Sequence, residues 1–121
     1  CFLDLEYFGR DDPVKLMADF LWHPAMRLDA SLKTLWLKGM FKIFGNDDDL
    51  RQRFRAAWPL YGLRWALILL NEFRQDGWSK RLHANQDLLQ RREQKLEQQL
   101  QKTSEICRSL SDLGMECPYS L

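Results

Sequence analysis

A mainly α fold is predicted for this 121-residue chain, and three observations predict it. Helix start and stop signals bracket successive apolar stretches through the first two thirds. The stretch 85–113 is rich in Gln, Glu, Lys and Arg and contains neither Pro nor Gly. Only the first few residues have the apolar and acidic alternation of a strand, so a sheet has little to build on. With 45% apolar residues, the chain is long enough for one domain with a modest core.

At the N-terminus, Cys1-Phe2-Leu3 runs into Asp4-Leu5-Glu6, which reads as a short strand. Asp4 and Glu6, two residues apart, then share one face of it. Paired carboxylates repel each other and suit a hard divalent cation such as magnesium, which one or two carboxylates and the phosphates of a nucleotide usually hold. A surface turn with two solvated acids has the same spacing, so the spacing alone leaves both readings open.

Asp12-Pro13 starts a helix: the aspartate caps free backbone donors and proline is preorganised for the first helical position. Pro24 disfavours helical geometry at His23, which places the end near Trp22. Leu16, Met17, Phe20 and Leu21 form its apolar stripe. A second helix is predicted over 29–44, burying Leu32, Leu35, Trp36, Met40, Ile43 and Phe44, with Gly45-Asn46 ending it. Asp47, Asp48 and Asp49 suit the acid-rich first turn of a third helix, where they meet the positive end of its dipole. Trp58-Pro59 interrupts that helix, and a largely apolar one over 59–73 is predicted as the central, most buried element. Arg64 within it has to snorkel or pair with an acid. Asp76-Gly77 marks a turn.

The stretch 85–113 predicts one helix of roughly 43 Å at about 1.5 Å per residue. Leu89, Leu96, Thr103 and Leu110 recur every seven residues, with Glu93, Leu100 and Cys107 as companions. Packing on the protein's own bundle and homodimerisation through this helix are both consistent with that stripe. Residues 114–121 are predicted as a loose tail. The resulting division is a helical region over 1–84, the long amphipathic helix over 85–113, and the tail.

Composition excludes several functions. Eighteen basic residues against seventeen acidic ones argue against a dedicated nucleic-acid binder. Arg51, Arg53 and Arg55, the densest basic cluster, read as a solvated helix face. The longest apolar run, 60–70, is too short to span a bilayer and includes Arg64. Three widely spaced cysteines, Cys1, Cys107 and Cys117, fit neither a disulfide framework nor a zinc site, and free thiols point to a reducing, cytoplasmic setting. His23 and His83 stand in no ligand motif and read as helix-boundary residues. The five tryptophans read as core rather than as an aromatic cage.

The segment Phe2-Leu-Asp-Leu-Glu-Tyr-Phe-Gly-Arg-Asp-Asp-Pro-Val-Lys-Leu-Met-Ala-Asp-Phe-Leu-Trp-His-Pro24 resembles the metal-binding segment of the aminoglycoside phosphotransferase and choline kinase superfamily. In that family a strand ends in Asp-x-Asp or Asp-x-Glu, a Gly and an Asp-Pro pair come next, and a helix begins. The corresponding residues are Asp4, Glu6, Gly9, Asp12 and Pro13. The resemblance implies the helical C-terminal lobe of a protein-kinase-like fold, in a kinase that transfers phosphate from ATP or GTP to the hydroxyl of a small molecule. It also implies that Asp4 holds the magnesium bridging the nucleotide phosphates and that Glu6 assists the same ion or its waters.

Two departures stand out. The family often carries an Asp three residues after the Pro, whereas this chain has Leu16 there, with Asp19 the nearest acid on the helix. The family's catalytic loop contains His-x-Asp, but here His23 is followed two residues on by Ala25, and His83 by Asn85. Catalytic residues are therefore expected upstream of this chain, and the 121 residues alone are expected to be inactive. A non-catalytic helical interaction or dimerisation module is the competing expectation.

Overall fold

A computed structural model of the chain describes residues 11–74 and 87–119, with side chains from 92 onward in the second stretch. The predicted N-terminal strand, Asp76-Gly77, Trp78 and His83 lie outside the described residues. The fold is mainly helical, with four α-helices among the described residues: α1 (Pro13–Trp22), α2 (Ala30–Ile43), α3 (Leu50–Leu70) and α4 (Asp87–Asp112). A single 3-10 turn, Asn71–Phe73, follows α3.

Local chemistry sets the first two helices as predicted. The Asp12 carboxylate accepts a hydrogen bond from the Val14 N–H at 2.9 Å, and Pro13 occupies the first helical position. Before α2, the Asp29 carboxylate accepts from the Leu32 N–H at 2.9 Å and from the Ser31 hydroxyl at 2.7 Å. Each cap satisfies a backbone donor that the helix itself leaves free. Asp49 stands at the corresponding position of α3 but makes no side-chain capping bond. Of the three acids credited with charging that helix start, Asp47 has its carboxylate on Arg53 instead.

The largest correction concerns Pro59. The helix expected to break there continues, and α3 runs 21 residues with Pro59 inside it. A proline in a helix interior costs about 3 kcal/mol through a lost hydrogen bond and a steric clash. Burial supplies the offset: Phe54, Trp58, Gly62 and Ala66, four residues apart, form one buried stripe that passes straight through the proline, and Leu69 extends it. Breaking the helix would turn half of that stripe away from its partners. Only one side of the second half is buried, because Leu60 and Leu67 are about two thirds exposed. It is therefore not the all-round buried element that its composition predicts.

α3 is the shared partner of α1 and α4, which both pack along it. Phe54 and Met17 are fully buried and Leu50 almost so. Trp22 lies against Trp58 with ring centroids 4.6 Å apart, and its indole N–H donates to the Trp58 carbonyl at 3.0 Å. Phe20 stacks on Trp36 at 4.1 Å. These tryptophans fill the core, as their spacing predicts.

On α2 the buried face is the predicted one only in part: Met40 is buried, and Trp36 and Phe44 pack half-buried against the core. Leu37, Met40 and Phe41 are inside, whereas Leu32, Leu35 and Ile43 are exposed. The helix has apolar residues on two faces, and packing uses the one that brings Phe41 edge-on to Phe54, 6.0 Å between centroids.

On α4, Thr103, Ile106 and Leu110 are buried, while Leu100 and Cys107 are exposed. The companion row therefore falls one residue earlier than predicted, and the stripe from Thr103 to Leu110 packs within the molecule. The Thr103 hydroxyl donates to the Gln99 carbonyl at 2.8 Å, so its burial leaves no bare donor.

Nor is the C-terminal segment loose as far as Tyr119. Gly114 and Met115 both adopt positive φ, 57° and 63°. The Met115 N–H donates back to the Leu110 carbonyl and the Gly114 N–H to that of Ser111, which is the paired-bond ending of a helix that reverses its chain. The reversal carries Tyr119 edge-on to Trp58 at 5.2 Å. Burial, with the neighbouring Cys117 thiol adding to it, pushes the Tyr119 phenol up to about 12.

Candidate functional site

Asp4 and Glu6, the expected magnesium ligands, lie outside the described residues. The neighbouring part of the site that the structure does describe is the start of α1 and a cavity of about 520 Å³ beside it, lined in part by Asp11, Leu16, Asp19, His23, Met26 and Trp65.

Four carboxylates, those of Asp11, Asp12, Asp19 and Asp47, stand at this end of the molecule, and each already has a cationic partner. Asp11 pairs with Lys15 one helical turn on. Arg53 joins α3 to the start of α1: its Nε donates to Asp12 at 3.0 Å, while Nη1 and Nη2 grip Asp47 at 2.9 and 2.6 Å. Arg64 Nη1 lies 2.7 Å from both oxygens of Asp19, and the Trp65 indole donates to the same carboxylate at 3.1 Å. The acid partner predicted for Arg64 is thus Asp19. These carboxylates act as braces, and their oxygens are directed at guanidinium and ammonium groups rather than at a common point. Among the described residues no group of three or more His, Cys, Asp or Glu side chains is placed to hold a metal ion.

Asp19 lies one helical turn beyond Leu16 and so shares its side of α1. It ties α1 to α3 from there, while Leu16 is about half exposed. Sequence reasoning treated Arg53 as one of three solvated arginines and missed its role. The signal was its register: Arg53 precedes the buried Phe54 and starts the half-buried row Arg53, Ala57, Tyr61, Trp65, whereas Arg51 and Arg55 flank the other side of the stripe. His23 closes α1 by donating its backbone N–H to the Asp19 carbonyl at 2.9 Å. Its ring Nδ1 accepts from the Ala25 N–H at 3.1 Å and the ring packs edge-on to Trp65, which is the helix-boundary role expected of it.

The braces predict a pH dependence. The hydrogen bond from Arg53 holds the carboxyls of Asp12 and Asp47 below the ordinary value of 3.8, and the Val14 N–H adds to the effect on Asp12. The hydrogen bond from Lys15 does the same for Asp11. A carboxylate whose pKa is lowered by folding contributes stability that is present above the unfolded value and lost as pH falls through the folded one. The melting temperature is therefore expected to hold down to about pH 5 and fall towards about pH 2. Arg53→Gln should flatten that fall when thermal unfolding is followed across the range. The groups are well exposed, so solvent keeps the effect modest.

Compared with protein-family models, with curated proteins and with solved structures, the chain matches none. Among the described residues no helix is long and apolar enough to cross a membrane.

Proposed function

We propose that this chain is the helical C-terminal part of an ATP- or GTP-dependent small-molecule kinase. The observation that carries the reading is the segment from Phe2 to Pro24, in which the acid pair Asp4 and Glu6 precedes Gly9, Asp12 and Pro13. The braced start of α1 supports it. Arg53 pins Asp12, and Arg64 with Trp65 pins Asp19, so the start of α1 is anchored to α3. Catalysis of phosphoryl transfer is mostly positioning and charge neutralisation, and it needs such anchoring.

In the proposed reaction the acceptor hydroxyl oxygen bonds to the terminal phosphorus of the nucleotide as the bridging oxygen leaves with the nucleoside diphosphate. The hydroxyl proton passes to a base outside this chain. Asp4, assisted by Glu6, would hold the magnesium that neutralises the phosphates. The setting proposed for this chemistry is cytoplasmic.

Incubating labelled ATP or GTP and magnesium with candidate acceptors (sugars, aminoglycosides, amino alcohols) tests the reading. Transfer is expected from the complete protein and none from the isolated 121 residues. Turnover by the isolated chain would overturn the proposal.

A second reading, a helical interaction module, is favoured by apolar side chains left outside: Leu32, Leu35 and Ile43 on α2, and Leu100 on α4. It predicts concentration-dependent association, a homodimer through α4 included, with indifference to magnesium and nucleotide.

A further inference from the structure

On α2, Thr34, Lys38 and Lys42 succeed one another at four-residue steps, so the two ammonium groups lie one turn apart on one face, where like charges repel. Neither lysine has a hydrogen-bond or ion-pair partner among the described residues. Across from them, the Arg51 guanidinium lies 4.3 Å over the ring of Phe41. Phe41 is itself buried against Phe54, so stacking holds this cation in place while leaving its N–H edge free to donate. Arg51 likewise has no carboxylate partner among the described residues.

All three cations line one cavity of about 630 Å³, between α2, α3 and the returning C-terminal segment, where Pro118 and Tyr119 form a wall. That volume falls in the ordinary range for small-molecule sites, about 300–1,000 Å³. Among the described residues no Asp or Glu lines it. Asp48 and Glu116 belong to an adjoining cavity that shares Arg51 and Tyr119. Arg53, Arg64, Lys15 and Lys95, by contrast, are each matched with an acid. An unmatched cluster in a concave site concentrates positive potential where an anion can enter.

We propose that this cavity binds a soluble phosphate-bearing small molecule. Its phosphoryl oxygens accept from Arg51 and from the two ammonium groups, and its apolar remainder lies against Leu37 and the Pro118–Tyr119 wall. The site shares no lining residue with the cavity beside α1 and does not depend on the phosphotransfer reading, whose nucleotide phosphates would belong to Asp4 and Glu6.

Calorimetric titration of the complete protein with pyrophosphate, in EDTA so that a magnesium-dependent site takes no part, tests it. Saturable binding tighter than about 1 mM is expected. Lys42→Gln and Arg51→Gln should each weaken it at least about fivefold, roughly one neutralised contact, while Lys33→Gln, on the same helix but off the cavity, leaves it unchanged. Lys42→Gln removes a repulsion, so its melting temperature should hold or rise, which separates lost binding from lost folding. Absence of saturable binding, or equal weakening by Lys33→Gln, would overturn the site. Capture on phosphatidate-containing vesicles that Lys42→Gln abolishes, without binding of free pyrophosphate, would overturn the assignment to a soluble ligand.

Discussion

Phe54→Ala is expected to remove about 4 kcal/mol of stability. Phe54 is fully buried and packs edge-on to Phe41 at 6.0 Å and tilted against Trp58 at 5.6 Å. It thereby joins the face that α2 buries to the stripe of α3. Truncation forfeits the transfer free energy of the ring, leaves a cavity that the neighbouring aromatics cannot collapse into, and ends two ring pairings. Domains of this size have only about 5–15 kcal/mol in total, so the variant should unfold at much lower denaturant, with Phe54→Leu retaining most of the midpoint. A loss below about 1 kcal/mol in equilibrium unfolding would mean that this core is not packed as described.

The second large effect is at Gly62. In the interior of an ordinary helix, replacing Gly by Ala gains about 1 kcal/mol. Here an added Cβ would sit 2.9 Å from Cζ2 of Trp22 and 3.1 Å from Cδ2 of Leu110. Leu110 can turn aside, but Trp22 cannot, because its indole N–H is bonded to the Trp58 carbonyl and its ring lies on that of Trp58. Gly62 is thus the place where α1 and α4 both approach α3. Overpacking costs about 1–3 kcal/mol, so Gly62→Ala should be a net loss and Gly62→Val, with two further methyls, should lie at the upper end. Gly39 on α2 supplies the contrast: its Cβ would meet nothing within 4 Å. Gly39→Ala should therefore raise the melting temperature, by the ordinary helix-propensity gain. If both alanine variants were stabilising, the close approach of the three helices would be refuted.

What the sequence made legible was set by how local each cause is. Both ends of α1 could be read because Asp12, Pro13 and Pro24 act within one or two residues of where they stand. The continuity of α3 through Pro59 could not, because the burial that offsets the proline comes from α1 and α4, far away in the chain. The partly mistaken face of α2 has a similar origin. Leu32, Leu35 and Ile43 are as apolar as Leu37 and Phe41, and only the position of Phe54 decides which of them join Met40 inside. Tyr119 was misread for want of any pattern: one aromatic beyond a Gly-Met reversal looks like tail until Trp58 is seen beneath it. At the candidate site, the need of Arg64 for an acid was legible and the identity of that acid was not. Arg53 went unrecognised because its two partners are Asp12, 41 residues earlier, and Asp47, which read as a helix-start charge.

The central claim, that Asp4 serves magnesium-dependent phosphoryl transfer, is tested most directly by the rate of terminal-phosphate transfer in the complete protein with and without Asp4→Asn. The account predicts transfer that requires magnesium and falls at least about a hundredfold in the variant, with an unchanged melting temperature. Transfer that survives the substitution, or a complete protein with no magnesium-dependent transfer at all, would contradict it.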